Sequence, residues 1–247
     1  MIYLFYAILR FRLLAIILGF ALPMNLFSQY SVNTYAEVGD NAVSQGVYGN
    51  LSGLLSAKFG SVTATTGGLL SLSNATPNVF SAYTLQLQTE QTILKKAFTI
   101  AGFYLWKPFS EDLRESDIGL LVNLRTKHIG YQLGLNSRLY YFSQAAKVKY
   151  NLPDTVQTSI SEPVNLMYRL TFYQPFSKKM NFEVSLTNFD TYTIQQETNP
   201  MLRTQLSYEL NSKLNLYSEL EYLQAGFFNM RVNYFGLLLR GGVVWHI

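Results

Sequence analysis

The chain has 247 residues, of which 49% are hydrophobic, 15% aromatic and 14% charged, and its formal net charge is +4. The charged fraction is well below the roughly 25% of soluble globular domains, and so small a net charge does not indicate a nucleic-acid partner. The sequence contains no cysteine, which excludes a disulfide framework, a thiolate metal site and a lipid-modified N-terminal cysteine.

The N-terminus predicts an export signal. Arg10 and Arg12 precede an apolar run over residues 13–22, which is the order of the positive and apolar regions in a signal peptide. A helix needs about 20 apolar residues to cross a bilayer, so this shorter run favours a cleaved signal over an uncleaved anchor. We predict a signal peptide over residues 1–28 and a single domain over residues 29–247.

The predicted domain consists of segments in which apolar and polar residues alternate with a period of two, as in a strand with one apolar and one polar face. The candidate strands in chain order lie at residues 30–38, 47–57, 61–73, 80–92, 97–106, 117–125, 129–139, 164–172, 202–210, 214–222 and 235–247. Short turns are predicted at residues 58–60, 95–96, 126–128, 175–179 and 211–213, and longer loops at residues 39–46, 74–78, 107–116, 143–162, 190–200 and 224–228.

The segment at residues 129–139 alternates most clearly. Tyr131, Leu133 and Leu135 share one face, while Gln132 and Arg138 lie on the other. A half-buried strand of a soluble protein gives the same pattern, but here it recurs in several segments of about ten residues. Strands of soluble proteins average about 5–6 residues, whereas about 9–11 tilted residues cross a bilayer core.

The rhythm of the connections predicts the number of strands. Five short turns that alternate with six longer loops join twelve strands, the eleven segments above and one between the turn at residues 175–179 and the loop at residues 190–200. Outer-membrane barrels have short turns at one end and longer loops at the other. The alternation changes phase between Tyr234 and Phe235. This change indicates a bulge or a misplaced strand, so ten and fourteen strands remain alternatives.

The last segment is the most informative. Leu237, Leu239 and Val243 alternate with polar or small residues, and the chain then ends on an apolar strand, which would be an aggregation hazard in water. A closed barrel in lipid provides both a paired edge and an apolar environment.

The final eight residues resemble the C-terminal assembly signal of Gram-negative outer-membrane barrels, with the Bacteroidetes type as one possibility. The matching residues are Arg240, Gly242, Trp245 and Ile247. The resemblance implies a location in the bacterial outer membrane with both termini in the periplasm. It also implies contact with outer-membrane lipids and, during biogenesis, with the barrel-assembly machinery.

Alternation and resemblance together predict an all-β fold, a transmembrane antiparallel up-and-down barrel whose polar face lines the lumen. The charged residues expected there are Glu90, Arg125, Arg138, Arg169, Glu183, Arg203, Glu209, Glu219, Glu221 and Arg240. These charges can line a passive pore for small polar solutes. Alternatively, they pair across the interior of an accessory barrel in a larger outer-membrane assembly with protein partners. A secreted soluble β-sandwich is the third alternative.

The sequence offers little for catalysis. Its two histidines, His128 and His246, lie far apart and in no motif that binds a metal or activates a serine. We therefore predict no enzyme activity, no metal site and no cofactor.

Overall fold

A computed structural model describes residues 29–41, 46–72, 80–93, 96–110, 112–149, 151, 153, 155, 157–225 and 233–247. The predicted signal peptide and the loop predicted at residues 74–78 lie outside the described residues, as does most of the loop predicted at residues 224–228. These three predictions stay predictions.

The described residues form twelve strands and one short helix. They are β1 (Gln29–Asn41), β2 (Gly46–Phe59), β3 (Val62–Ser71), β4 (Phe80–Ile93), β5 (Lys96–Pro108), β6 (Leu113–Arg125), β7 (Ile129–Phe142), α1 (Gln144–Lys149), β8 (Ser159–Pro175), β9 (Met180–Phe189), β10 (Gln196–Asn211), β11 (Leu214–Ala225) and β12 (Asn233–His246). All neighbouring strands pair antiparallel and β12 closes the barrel against β1, which confirms the predicted fold class and strand number. No helix in the described part of the chain is long and apolar enough to cross a bilayer.

The last predicted strand, at residues 235–247, closes the barrel by pairing with the first. The ladder between β1 and β12 runs from Ser31 opposite His246 to Asn41 opposite Gly236, and the Ile247 N–H donates to the carbonyl of Tyr30 at 2.9 Å. The phase change in β12 is a bulge, because Leu223 lies opposite Gly236 while the next residue, Gln224, lies opposite Tyr234. Phe235 is the extra residue, which leaves the count at twelve.

The two faces of the wall differ in chemistry. Ile118 and Val164 are 65% and 67% exposed on the outside, and each strand carries at least one exposed large hydrophobic residue. Such residues, in strand order, include Val38, Leu55, Leu70, Leu87, Tyr104, Leu120, Leu133, Leu166, Leu186, Leu202, Leu220 and Leu239. A complete apolar belt of this kind is stable in lipid and not in water. The closed barrel and its belt contradict the soluble β-sandwich.

The barrel has two distinct ends. The turn end carries the two ends of the described chain and the short turns at residues 126–128 and 176–179. The loop end carries the connection that contains α1 and the connection at residues 190–195, between β9 and β10.

Several loops were predicted too long, because the strands extend into them. β5 continues to Pro108 and β6 begins at Leu113, so the loop predicted at residues 107–116 shrinks to residues 109–112. A charged loop residue is expected to face solvent, but Glu115 is buried on the inner wall beside Arg138. The loops predicted at residues 143–162 and 190–200 end earlier, because β8 begins at Ser159 and β10 begins at Gln196.

Candidate functional site: the barrel lumen

Residues 190–195 turn into the lumen, and we call them the luminal segment. The ladder between β9 and β10 is interrupted here, because Gln196 lies opposite Phe189 but Met201 lies opposite Thr187. Asp190 starts the turn, since its Oδ1 accepts the N–H groups of Tyr192 at 2.8 Å and Thr193 at 2.7 Å.

The luminal segment is anchored to one wall by an apolar contact. Ile194 adopts a φ of +60°, which is costly for a β-branched residue. It is nonetheless buried within a cluster whose other members line the inner faces of β5, β6, β8 and β9: Ala101, Phe103, Leu121, Met167 and Phe189. Packing in this cluster offsets the backbone strain.

Aromatic rings hold the segment to the opposite wall. The ring of Tyr192 lies 5.0 Å from that of Tyr35 and is stacked 5.6 Å from that of Tyr217. The Gln86 side chain donates to the carbonyl of Tyr192 at 3.4 Å. The segment therefore spans the lumen from one wall to the other.

An arginine on β12 provides the third anchor. Arg240 Nη2 lies 2.7 Å from Asp190 Oδ2 and 2.8 Å from Glu37 Oε2, and Nη1 of the same guanidinium pairs with Glu219. Arg203 also pairs with Glu219, so the cluster continues along β10 and β11. Burial of this many charges is tolerated because both arginines pair with two or more carboxylates, while Glu37 and Asp190 also accept hydrogen bonds from neutral groups.

A second ion cluster lies nearer the loop end on the other side of the lumen. Arg138 Nε lies 3.4 Å from Glu115 and 3.7 Å from Asp117, and Nη1 lies 3.7 Å from Glu162. Nη2 donates to the carbonyl of Gln196 at 2.7 Å, which ties β7 to the start of β10 directly after the luminal segment.

The luminal segment separates two polar cavities. The loop-end chamber, of about 240 Å³, is lined by Asp190 and Thr193 together with wall residues of β1, β2 and β10 to β12. The turn-end chamber, of about 270 Å³, is lined by Thr191 and Tyr192 together with wall residues of β6 to β10. Consecutive residues of one segment thus face opposite chambers.

The structure places most of the charged residues predicted for the lumen around these cavities. Glu221 and Arg240 line the loop-end chamber, and Arg125, Arg169, Glu183 and Arg203 line the turn-end chamber. Glu209 lines a third cavity, of about 220 Å³, at the turn end. Arg138 and Glu219 are held in the ion clusters, and Glu90 lies exposed at the turn end, 3.7 Å from Lys58.

Five carboxylates of the lumen were missed from the sequence. Glu37 alternates in phase with Tyr35 and could have been assigned inward on that basis. Glu115, Asp190 and Glu197 were assigned to loops, and Asp117 to the first residue of a strand. Nothing in the local pattern signals that a loop residue such as Asp190 enters the barrel.

The residues of the C-terminal resemblance occupy both faces of β12. Arg240 is buried inside, and Gly242 also faces inward, where an added Cβ would collide with the ring of Tyr217. Trp245 is 52% exposed on the outside near the turn end, and Ile247, at the chain end, is 60% exposed.

The histidines lie at the turn end and are exposed. His128 Nδ1 is 3.4 Å from the carbonyl of Tyr173, and His246 Nε2 is 3.3 Å from Asn215 Nδ2. Within the described ranges, no three His, Cys, Asp or Glu side chains are grouped to hold a metal ion.

No protein-family model and no curated protein matches the sequence. Among solved structures, the chain is similar to the KdgM porin in complex with disordered oligogalacturonate, with 13% identity, a TM-score of 0.53, and coverage of 87% of this chain and 98% of that chain. It is similar to an outer membrane channel from Pseudomonas putida F1, with 10% identity, a TM-score of 0.53, and coverage of 91% and 99%. The translocator domain of the autotransporter NalP from Neisseria meningitidis matches with 16% identity, a TM-score of 0.50, and coverage of 97% and 95%. At these identities the similarity shows the outer-membrane β-barrel fold.

Proposed function

We propose that this protein is an outer-membrane channel for small polar solutes, and that the luminal segment closes its path in the conformation described here. The observation that carries the proposal is the pair of polar chambers on the two sides of residues 190–195. A barrel with a purely structural role needs no polar cavities, whereas a solute path requires them.

The apolar belt supports the membrane location. Lipid-facing strands of this length and composition match the hydrocarbon thickness of a bilayer, and the fold is that of outer-membrane barrels. Two of the solved structures to which the chain is similar are a porin and a channel, which agrees with the proposal at the level of fold.

The orientation and the assembly route belong to the same proposal. With the turn end in the periplasm, both termini lie there, and Trp245 sits at the interface as an aromatic anchor. Replacement of Trp245 and Ile247 by Ser is expected to block assembly by the barrel-assembly machinery. Membrane fractionation with a heat-shift gel measures this, and a normal heat-modifiable band in the variant would refute the assembly signal.

The channel is tested by shortening the luminal segment. Asp190 N–H already donates to the carbonyl of Gln195 at 2.8 Å, so a two-residue Asn-Gly turn can replace residues 191–194. This change removes Tyr192 and Ile194, the two side chains that span the lumen. In planar bilayers we expect rare or small current steps from the wild type and frequent, larger steps from the shortened variant.

The matched control is Leu133→Ala, which alters an outward-facing residue of the same wall and is expected to leave the current unchanged. If the shortened variant assembles into a heat-modifiable barrel and remains silent, the lumen is not a solute path.

The alternative function is that of an accessory barrel. The buried pairs of Arg240 and Arg203 with Glu219 favour it, because they tie β10, β11 and β12 to the luminal segment and give the interior a fixed packing. Gentle detergent extraction followed by affinity capture distinguishes the two. A stoichiometric outer-membrane partner together with a silent shortened variant supports the accessory barrel, whereas a lone monomer counts against it.

A further inference from the structure

We propose that the turn-end chamber is a binding site for a short hydroxylated dicarboxylate, with Arg125 and Arg169 as the residues that recognise its carboxylates. The proposal goes beyond the channel function, since it concerns equilibrium binding from the turn end and requires no passage through the lumen.

The first argument is the charge of the chamber. Its wall includes three arginines, Arg125, Arg169 and Arg203, and one carboxylate, Glu183. Arg203 is neutralised by Glu219. Within the described part of the chain, Arg125 and Arg169 form no ion pair with a carboxylate, whereas Arg138, Arg203 and Arg240 each pair with two or more. Two guanidinium groups against the single carboxylate of Glu183 therefore leave the chamber with a net positive charge.

The second argument is the orientation of Arg169. Its Nη2 donates to the carbonyl of Phe189 at 2.8 Å and its Nε to the hydroxyl of Thr187 at 3.3 Å, while the guanidinium lies 4.3 Å from the centre of the Phe189 ring. These contacts fix the plane of the guanidinium and leave the two N–H groups of Nη1 for a ligand. A guanidinium held in a fixed plane with free donors on one nitrogen suits a carboxylate oxygen.

The third argument is the support of Arg125. Its guanidinium lies 3.9 Å from the centre of the Tyr173 ring, and both side chains line the chamber. Gly130 makes this arrangement possible, because a Cβ at that position would lie 2.8 Å from the Tyr173 Oη. Stacking on the ring holds a long side chain in place without using any of its hydrogen-bond donors.

Neutral groups complete the chamber. Asn123, Gln132, Thr171 and Gln205 also line it, and amide and hydroxyl groups can both donate to and accept from a ligand hydroxyl. Arg125 is exposed as the last residue of β6, so the chamber is reached from the turn end without displacement of the luminal segment. Two positively charged groups together with neutral polar groups in one chamber suit a short dicarboxylate that carries a hydroxyl.

The loop-end chamber provides the contrast. Its lining carries Glu37, Asp190, Glu197 and Glu221 against the single Arg240. The same dicarboxylate is repelled there, so the proposal assigns it to the turn end alone.

The test uses L-malate and its uncharged analogue 1,2,4-butanetriol, titrated calorimetrically into the full barrel refolded in detergent. We expect saturable binding of malate, none of butanetriol, and a loss of about tenfold in malate affinity for Arg169→Gln or Arg125→Gln, since each removes a charged hydrogen-bond partner. Arg114→Gln is the matched control, because Arg114 also stacks on a tyrosine, Tyr141, but is exposed at the loop end. Its affinity should equal that of the wild type.

Absence of malate binding to the wild type overturns the proposal, as does equal binding of butanetriol or an equal loss in Arg114→Gln. If Arg169→Gln fails to give a heat-modifiable barrel, Arg125→Gln at the exposed rim decides the outcome. Current through the shortened variant has no bearing on this result, so the binding site and the channel function are tested independently.

Discussion

The two chambers of the lumen use arginine in opposite ways. At the loop end, Arg240 contacts Glu37, Asp190 and Glu219, and its role is to hold the luminal segment against the wall. At the turn end, the hydrogen-bond partners of Arg169 among the described residues are neutral, a carbonyl and a hydroxyl. An arginine surrounded by carboxylates stabilises the fold, whereas one held by neutral groups keeps its charge available to a ligand. The sign of the charge that a ligand meets in a lumen therefore depends on the unpaired charged groups and not on the number of charged residues.

The largest effect is expected from removal of the paired arginine. Arg240→Met leaves Glu37 and Asp190 buried without their arginine, while Glu219 and Glu221 keep Arg203, and this costs about 3–5 kcal/mol of unfolding free energy. Arg169→Met removes two hydrogen bonds of a charged group to neutral partners and should cost about 2 kcal/mol. Urea unfolding in lipid vesicles, followed by Trp fluorescence, measures both. Equal losses would remove the distinction between the two arginines.

A smaller effect is expected from a change at Asp190, the residue of the luminal segment that pairs with Arg240. Asp190→Asn keeps the side-chain shape and most of the turn but removes the charge that pairs with Arg240, at a cost of about 1–3 kcal/mol to the docked segment. We expect more frequent openings in single-channel records and unchanged malate affinity. A drop in malate affinity would mean that the two chambers are coupled through the luminal segment.

The smallest effect is expected outside the barrel wall, where Asp112 joins the β5–β6 connection to α1. Hydrogen bonds from the Ser143 hydroxyl at 2.8 Å and from Lys149 at 3.1 Å lower the pKa of Asp112 below its usual value of 3.8. Because the folded-state pKa is the lower one, the contact is complete above pH 3.8 and is lost as the pH falls through the lowered value.

Hydrogen exchange in α1 as a function of pH measures this contact. Protection should fall only at acidic pH, and Asp112→Asn should abolish that pH dependence. Malate affinity and the frequency of channel openings should be unchanged in Asp112→Asn, which makes it a control for Asp190→Asn.

Most of the wall could be read from the sequence, because alternation with a period of two is a local property of each strand. The inward orientation of Arg138 and the outward orientation of Leu133 both follow from it, and the bulge at Phe235 showed as a change of phase. The prediction was wrong where charge suggested solvent, as for Glu115, since a charged residue near a strand end alternates equally well into a polar lumen.

By itself the sequence predicted a barrel of about twelve strands with an apolar exterior and a charged interior, with ten or fourteen strands as alternatives, because alternation and the spacing of turns and loops depend on residues close together in the chain. Only the tertiary structure decided how the interior is used. Residues 190–195 read as an outer loop, and they enter the lumen because Ile194, Tyr192 and Asp190 find an apolar cluster, two tyrosine rings and Arg240 there. These partners lie on strands distant in sequence, so their meeting depends on closure of the barrel, which also decides which arginines remain unpaired.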